Sequence, residues 1–202
     1  KKIVTAVLLL IERKKILSEN SHMASRGLRV LALAYRRMSV LPERDPDSVE
    51  GDLTFVGLVG MEDPPREEVK KSVALARKAG IRTIMITGDH LGTAVSVAKA
   101  LGLFESDDRA VTGSELDNMS DAGLCECVEH SAVFARVNPE HKLRIVKALK
   151  ARGHIVAMTG DGVNDAPAIR EADIGIAMGL SGTDVTREAS SMVLADDNYS
   201  TI

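Results

Sequence analysis

The sequence predicts an α/β chain built on a doubly wound parallel sheet, preceded by a smaller α+β part. Three observations carry that expectation. From residue 66 onward, short apolar runs alternate with helix-length segments, the order that builds a parallel sheet with helices on both faces. Two of those runs, Ile84-Met85-Ile86 and Ile155 to Met158, lead into matching turns, Thr87-Gly88-Asp89 and Thr159-Gly160-Asp161. Before them, Asp63-Pro64-Pro65-Arg66 stiffens the chain, because two prolines fix two φ angles in succession.

In the first part, Ile11, Ile16, Leu17 and Met23 fall on one face of a helix that Gly27 is placed to end. Leu28 to Ala34 suits a buried strand, and residues 36–51 are rich in Pro, Asp, Glu and Arg, as a surface loop would be. Leu53 to Val59 predicts a second strand, broken by Gly57 and Gly60. In the second part, Arg66 to Lys78 is an amphipathic helix with Val69, Val73, Leu75 and Ala76 inward. Strands are expected at residues 81–86, 110–112, 132–135, 155–158, 174–178 and 192–194. Helices are expected at 93–101, 120–129, 139–152, 166–171 and 185–189. Asn138-Pro139 is the clearest start signal, with Asn as cap and Pro at the first helical position.

The chain has 202 residues, 45 % apolar and 27 % charged, which is ordinary for a globular protein. A net charge of −3 gives no basic stripe, so nucleic acid is not an expected partner. Cys125 and Cys127 are too close for an easy disulfide and too few for a structural zinc site, so reduced thiols are expected. No run reaches the roughly 18 apolar residues that cross a bilayer, and Val7 to Ile11 fits neither a span nor a signal peptide. A chain that starts at Lys1 and stops at Ile202 without a polar tail reads as a soluble piece of something longer.

The chemistry gathers at strand ends. Asp161 and Asp165 stand four apart in a glycine-rich turn, where α/β proteins bind ligands. Two carboxylates among small residues suit Mg²⁺ held next to a phosphate. An ordinary surface turn is the plain alternative, since Gly, Asn and Asp are common turn residues. Thr87 supplies a hydroxyl, Asp89 another carboxylate, and Lys142 an ammonium near the start of the helix opened by Asn138. On a helix rich in Lys and Arg, simple solvation is the plain reading of that lysine. Together, a hydroxyl, an ammonium and a metal-binding aspartate neutralise the oxygens of a transferring phosphoryl group.

These residues carry a resemblance. Thr87-Gly88-Asp89, Lys142 after Pro139-Glu140-His141, and Thr159-Gly160-Asp161-Gly162-Val163-Asn164-Asp165 are similar to motifs of the haloacid dehalogenase (HAD) superfamily. Met158 to Ala168 more narrowly resembles the phosphorylation domain of P-type cation-transporting ATPases. Residues 134–142 and 192–198 resemble the calcium-pump and sodium-pump branch. Asp63 to Arg66 is similar to the hinge out of that family's nucleotide-binding domain, and Gly27 to Ala32 to the end of that domain. The resemblance implies residues 1–62 as nucleotide-domain remnant, 63–66 as hinge and 67–202 as a HAD-like, Rossmann-type phosphorylation domain.

It also implies roles. Thr87 would hydrogen-bond the phosphoryl group, Lys142 would neutralise it, and Asp161 would hold Mg²⁺. Asn164 and Asp165 would order the site, with Asp165 acting through water or Lys142. Gly88 and Asp89 would lie beside the ATP, Arg29 would reach its phosphates, and Arg136 would sit at the gap between domains. Surface solvation is the plain reading of both arginines. The parent protein would be an ATP-driven cation pump in the cell membrane, this part cytoplasmic, with membrane helices outside the chain. One departure stands out: the family phosphorylates the aspartate of an Asp-Lys-Thr-Gly-Thr segment, and this chain has none. By itself it is expected to form no aspartyl phosphate. The other readings are a soluble phosphatase of the same superfamily, or a non-catalytic module that binds Mg²⁺ or nucleotide.

Overall fold

The computed structural model describes residues 2–6, 13–39, 51, 53–62 and 66–202. Val7 to Ile11, most of the expected 36–51 loop and Asp63 to Pro65 lie outside the described residues. The chain divides into two compact units, Lys1–Pro64 and Pro65–Ile202.

The first unit is an antiparallel sheet of β1 (Lys2–Ala6), β2 (Arg29–Tyr35) and β3 (Thr54–Glu62), in the order β1-β3-β2. Helix α1 (Arg13–Ser25) packs on it through Met23 and Ile16, against Leu28, Val30, Phe55 and Leu58. Gly27 ends α1 at φ 84°, and the amides of Gly27 and Leu28 turn back to the carbonyls of Ala24 and Met23. Strand β3 is not broken by its glycines. Gly60 packs closely under α1, since a Cβ there would lie 2.8 Å from both Leu28 Cδ1 and Met23 Cε and those two side-chain ends would have to shift. The expected burial of β2 is half right. Val30 faces α1, while Leu31 and Leu33 point to the opposite face and stay about half exposed. Leu17, expected inward on α1, is also exposed.

The second unit has the expected α/β architecture of parallel strands with packed helices, its described strands pairing in two three-stranded sheets. The first is β4 (Met85–Thr87), β6 (Ser131–Ala135) and β5 (Arg109–Thr112), with β6 central and buried throughout. The second is β7 (Ala157–Gly160), β8 (Ile174–Met178) and β9 (Met192–Leu194), with β8 central. Helices α2 (Glu67–Lys78) and α3 (Leu91–Leu101) cover one face of the first sheet, where Val73, Ala94, Ala98 and Leu101 meet Val133 and Ala135.

Helices α4 (Gly113–Asp117), α5 (Asp121–Cys127) and α6 (Pro139–Ala151) build the main core with the sheets. In that core Leu116, Leu124, Ile145 and Leu149 form one apolar cluster with Phe134 of β6 and Met158 of β7. The two sheets therefore share an apolar core. Helices α7 (Ala166–Glu171) and α8 (Asp184–Ala189) flank β8.

Two expected strands are shorter or shifted. β4 and β7 are each the end strand of a three-stranded sheet, so pairing orders them from one side only. Ile81, 61 % exposed, stays outside β4, and Ile155, 80 % exposed, stays outside β7. On α2, Leu75 points to solvent instead of inward. Helix α4 was not anticipated, although Thr112 and Glu115 have the spacing of a capping box and form one.

Candidate phosphoryl-transfer site

The site forms where β4, β6 and β7 end. After β4, the Asp89 N–H donates to Thr87 Oγ at 3.1 Å, closing the Thr-Gly-Asp turn. After β6, Arg136 adopts a left-handed φ of 54°. That turn aims two amides at the neighbouring loop: Arg136 N–H donates to the Asp89 carbonyl and Val137 N–H to the Thr87 carbonyl. The next residue, Asn138, caps α6 by accepting from the His141 N–H at 2.9 Å. The loops after β4 and β6 are thus fastened together directly before the helix that carries Lys142.

Lys142 is one helical turn in, with a side chain 19 % exposed. Its ammonium donates to Asp165 Oδ1. The other oxygen of Asp165 accepts the amides of Gly162, at 3.2 Å, and Asp161, at 3.3 Å. Asp165 is therefore buried with its charge matched and its acceptors occupied. Solvation is not the role of this lysine. Asp161 differs: its side chain is exposed, while its carbonyl is pinned by the Thr183 N–H and Thr186 Oγ at the start of α8. Asn164 lies exposed on the 3₁₀ turn Val163–Asp165.

Hydrogen bonds thus join Thr87, Asp89 and Arg136 in one group and Lys142, Asp165 and Asp161 in another, and the short stretch of chain from Arg136 to Lys142 links the two. Gly88 sits exposed within the first loop. Arg29 is on β2 in the first unit, exposed. Sequence reasoning missed the supports: Gly113, Asp117 and His141 under the β6 loop, and Thr183 and Thr186 under Asp161.

Residues 8–173 match the family model of the haloacid dehalogenase-like hydrolases. The chain belongs to that family. It is 52 % identical over 196 residues to Calcium-transporting ATPase 1 of Bacillus cereus, covering 97 % of this chain and 22 % of that protein. The Calcium-transporting ATPase of Bacillus subtilis is 54 % identical over 181 residues, 90 % of this chain and 20 % of its own length. Calcium-transporting ATPase 1 of Saccharomyces cerevisiae is 50 % identical over 182 residues, 89 % of this chain and 19 % of its own length. The chain thus spans about a fifth of the length of these relatives. Among its described residues, no helix is long and apolar enough to cross a membrane.

Mg²⁺ prefers oxygen donors and commonly keeps several of its waters. Among the described residues there is no group of three or more His, Cys, Asp or Glu side chains that could hold a metal. Asp165 is committed to Lys142 and two amides, so the pair of free carboxylates expected from the sequence reduces to Asp161. One exposed carboxylate still fits Mg²⁺, which commonly keeps several waters and takes its other oxygens from a phosphate.

Elsewhere in the unit, carboxylates that clasp loops are held in the charged form. The Leu180 amide, then the Ser181 amide, keep Asp197 below the usual carboxylate range. The Val156 amide does the same for Asp173, and the Thr112 amide followed by its hydroxyl for Glu115. A depressed folded-state value stabilises the fold above the unfolded value and loses that contribution as pH falls through the folded one. The thermal midpoint should therefore hold from neutrality to about pH 5 and fall below about pH 4. Asp197→Asn should flatten that decline, because the group then titrates in neither state. A decline of unchanged steepness would exclude the clasp as a cause.

Proposed function

We propose that this chain is the part of an ATP-driven cation pump that stabilises a phosphoryl group during transfer to and from an aspartate. The observation that carries this reading is the Lys142–Asp165 pair, which also takes the backbone amide of the exposed Asp161 and is linked through the β6 loop to Thr87. A buried carboxylate that grips the Lys142 ammonium holds it in one place, so it can meet the phosphoryl oxygens without reorganising. Thr87 Oγ accepts from the Asp89 amide and keeps its own proton to donate to a phosphoryl oxygen. Asp161 would hold Mg²⁺, which supplies charge neutralisation across the phosphate oxygens.

The acceptor aspartate, from an Asp-Lys-Thr-Gly-Thr segment of the longer polypeptide, attacks the γ-phosphorus. The bond to the bridging oxygen breaks and ADP leaves. Water later attacks the same phosphorus, releasing inorganic phosphate and restoring the carboxylate. Gly88, Asp89, Arg136 and Asn164 would line the ATP side, and Arg29 would reach the ATP phosphates. The names of the relatives favour calcium as the transported ion. Transport would run through membrane helices of the parent protein, with this part on the cytoplasmic side.

Incubated alone with radiolabelled ATP and Mg²⁺, the chain is expected to take up no hydroxylamine-sensitive label. Mg²⁺ or nucleotide should still raise its thermal midpoint through linkage. The full-length protein should label on the missing aspartate and transport its cation in step with turnover. Label on the isolated chain, or an unlabelled full-length protein, would overturn the proposal.

A further inference from the structure

Directly before Lys142 stands a buried imidazole that the reaction scheme does not use. His141 is 4 % exposed, at the third position of α6. Its Nδ1 accepts the backbone N–H of Asn138 at 3.2 Å, so that nitrogen carries no proton. The ring proton belongs on Nε2, which donates to Asp117 Oδ1 at 2.7 Å. Asp117 is the last residue of α4, and the first residue of the same helix is also committed to this corner. A Cβ at Gly113 would overlap the Arg136 carbonyl and lie 3.2 Å from His141 Cε1. Helix α4 therefore touches the β6 loop at one end and the ring of His141 at the other.

We propose that Asp117 and His141 are a positioning pair for Lys142. Asp117 fixes the tautomer and rotation of the ring. The ring in turn holds the Asn138 amide and completes the reciprocal cap on the first turn of α6. Lys142 leaves that turn toward Asp165, so a ring that rotates or changes tautomer loosens the base of the lysine. Asp117 works here as a hydrogen-bond acceptor and not as a charge, since its side chain is 63 % exposed. The inference rests on the reading of Lys142 as the group that neutralises the phosphoryl oxygens.

The test uses the full-length protein that carries this chain, with single-turnover labelling by ATP. Asp117→Ala should slow labelling at saturating ATP by about 10- to 100-fold, the scale of a small misplacement. The ATP concentration for half-maximal rate should move less than about twofold, because ATP binding itself is untouched. Asp117→Asn keeps an acceptor oxygen and should restore most of the rate. In the wild-type protein, nitrogen NMR of the imidazole should show the Nε2–H tautomer, a measurement that requires no variant to fold. Wild-type labelling by Asp117→Ala, equal slowing by Ala and Asn, or a proton on Nδ1 would each overturn the pair. Lys142→Ala separates the two levels. If it labels at the wild-type rate, the functional reading falls, whereas inactive Lys142→Ala beside fully active Asp117→Ala removes the positioning pair alone.

Discussion

Replacing Lys142 with alanine is expected to slow phosphoryl transfer in the full-length protein by about 100- to 1,000-fold, the size of effect seen when one preorganised charge-stabilising donor is removed. The same change should destabilise the 202-residue chain. Asp165 would keep two amide donors but lose its countercharge at a site where it is 6 % exposed. Removing one partner of a fully buried pair costs about 3–5 kcal/mol. The remaining amides and the 19 % exposure of the lysine side chain bring the expected loss to about 1–3 kcal/mol.

Adding Asp165→Asn to Lys142→Ala removes the unmatched charge and should recover most of the stability while transfer stays lost. Lys142→Arg should not restore the rate, because a planar fork does not reproduce a point charge. Denaturant unfolding reads the first quantity and rapid-quench labelling the second. If the double variant is no more stable than Lys142→Ala, the charge is not what makes the single change harmful. If Lys142→Ala labels normally, the ammonium does not act on the phosphoryl group.

The elements that were legible in the sequence are those fixed by local chemistry. Asn138-Pro139 and Gly153 bracket α6, which runs Pro139–Ala151 with Gly153 at a φ of 86°. Helix α7 and strands β8 and β9 fall on the expected residues, because their apolar runs sit between clear turns. What depends on neighbours was harder to read. Ile81 and Ile155 look like strand residues, yet they lie outside the paired stretches of end strands. Leu17 and Leu75 match helical periodicity and still face solvent, since periodicity cannot say how wide a covered stripe is.

In the site, the types of side chain were visible in the turns. Their pairing was not; only the resemblance offered Lys142 as a partner of Asp165. Lys142 and Asp165 are 23 residues apart in sequence, and only the path of α6 and β7 makes one the partner of the other. Asp117 and His141 are 24 apart and join across α4 in the same way. Nothing local marks Asp165, rather than Asp161, as the carboxylate that is consumed.

Gly160→Ala is expected to destabilise the chain by about 2–3 kcal/mol and to slow transfer in the full-length protein by about 100-fold, whereas Gly162→Ala should change stability by no more than about 0.5 kcal/mol. Both glycines lie in the same turn and read alike in the sequence. Neither has a left-handed φ, so backbone freedom does not explain them. The difference lies in the space each Cβ would enter. At Gly160 the new carbon would lie 2.5 Å from Asp165 Cβ and 2.8 Å from Cγ, a separation that requires the carboxylate to move. That carboxylate cannot move without releasing Lys142 and the amides of Asp161 and Gly162 together. At Gly162 the nearest atom would be Asp165 Oδ2 at 3.7 Å, ordinary van der Waals contact. If the two alanine variants lose stability and rate equally, the turn needs flexibility at both positions, and the close packing of Asp165 on Gly160 is not what holds the lysine in place.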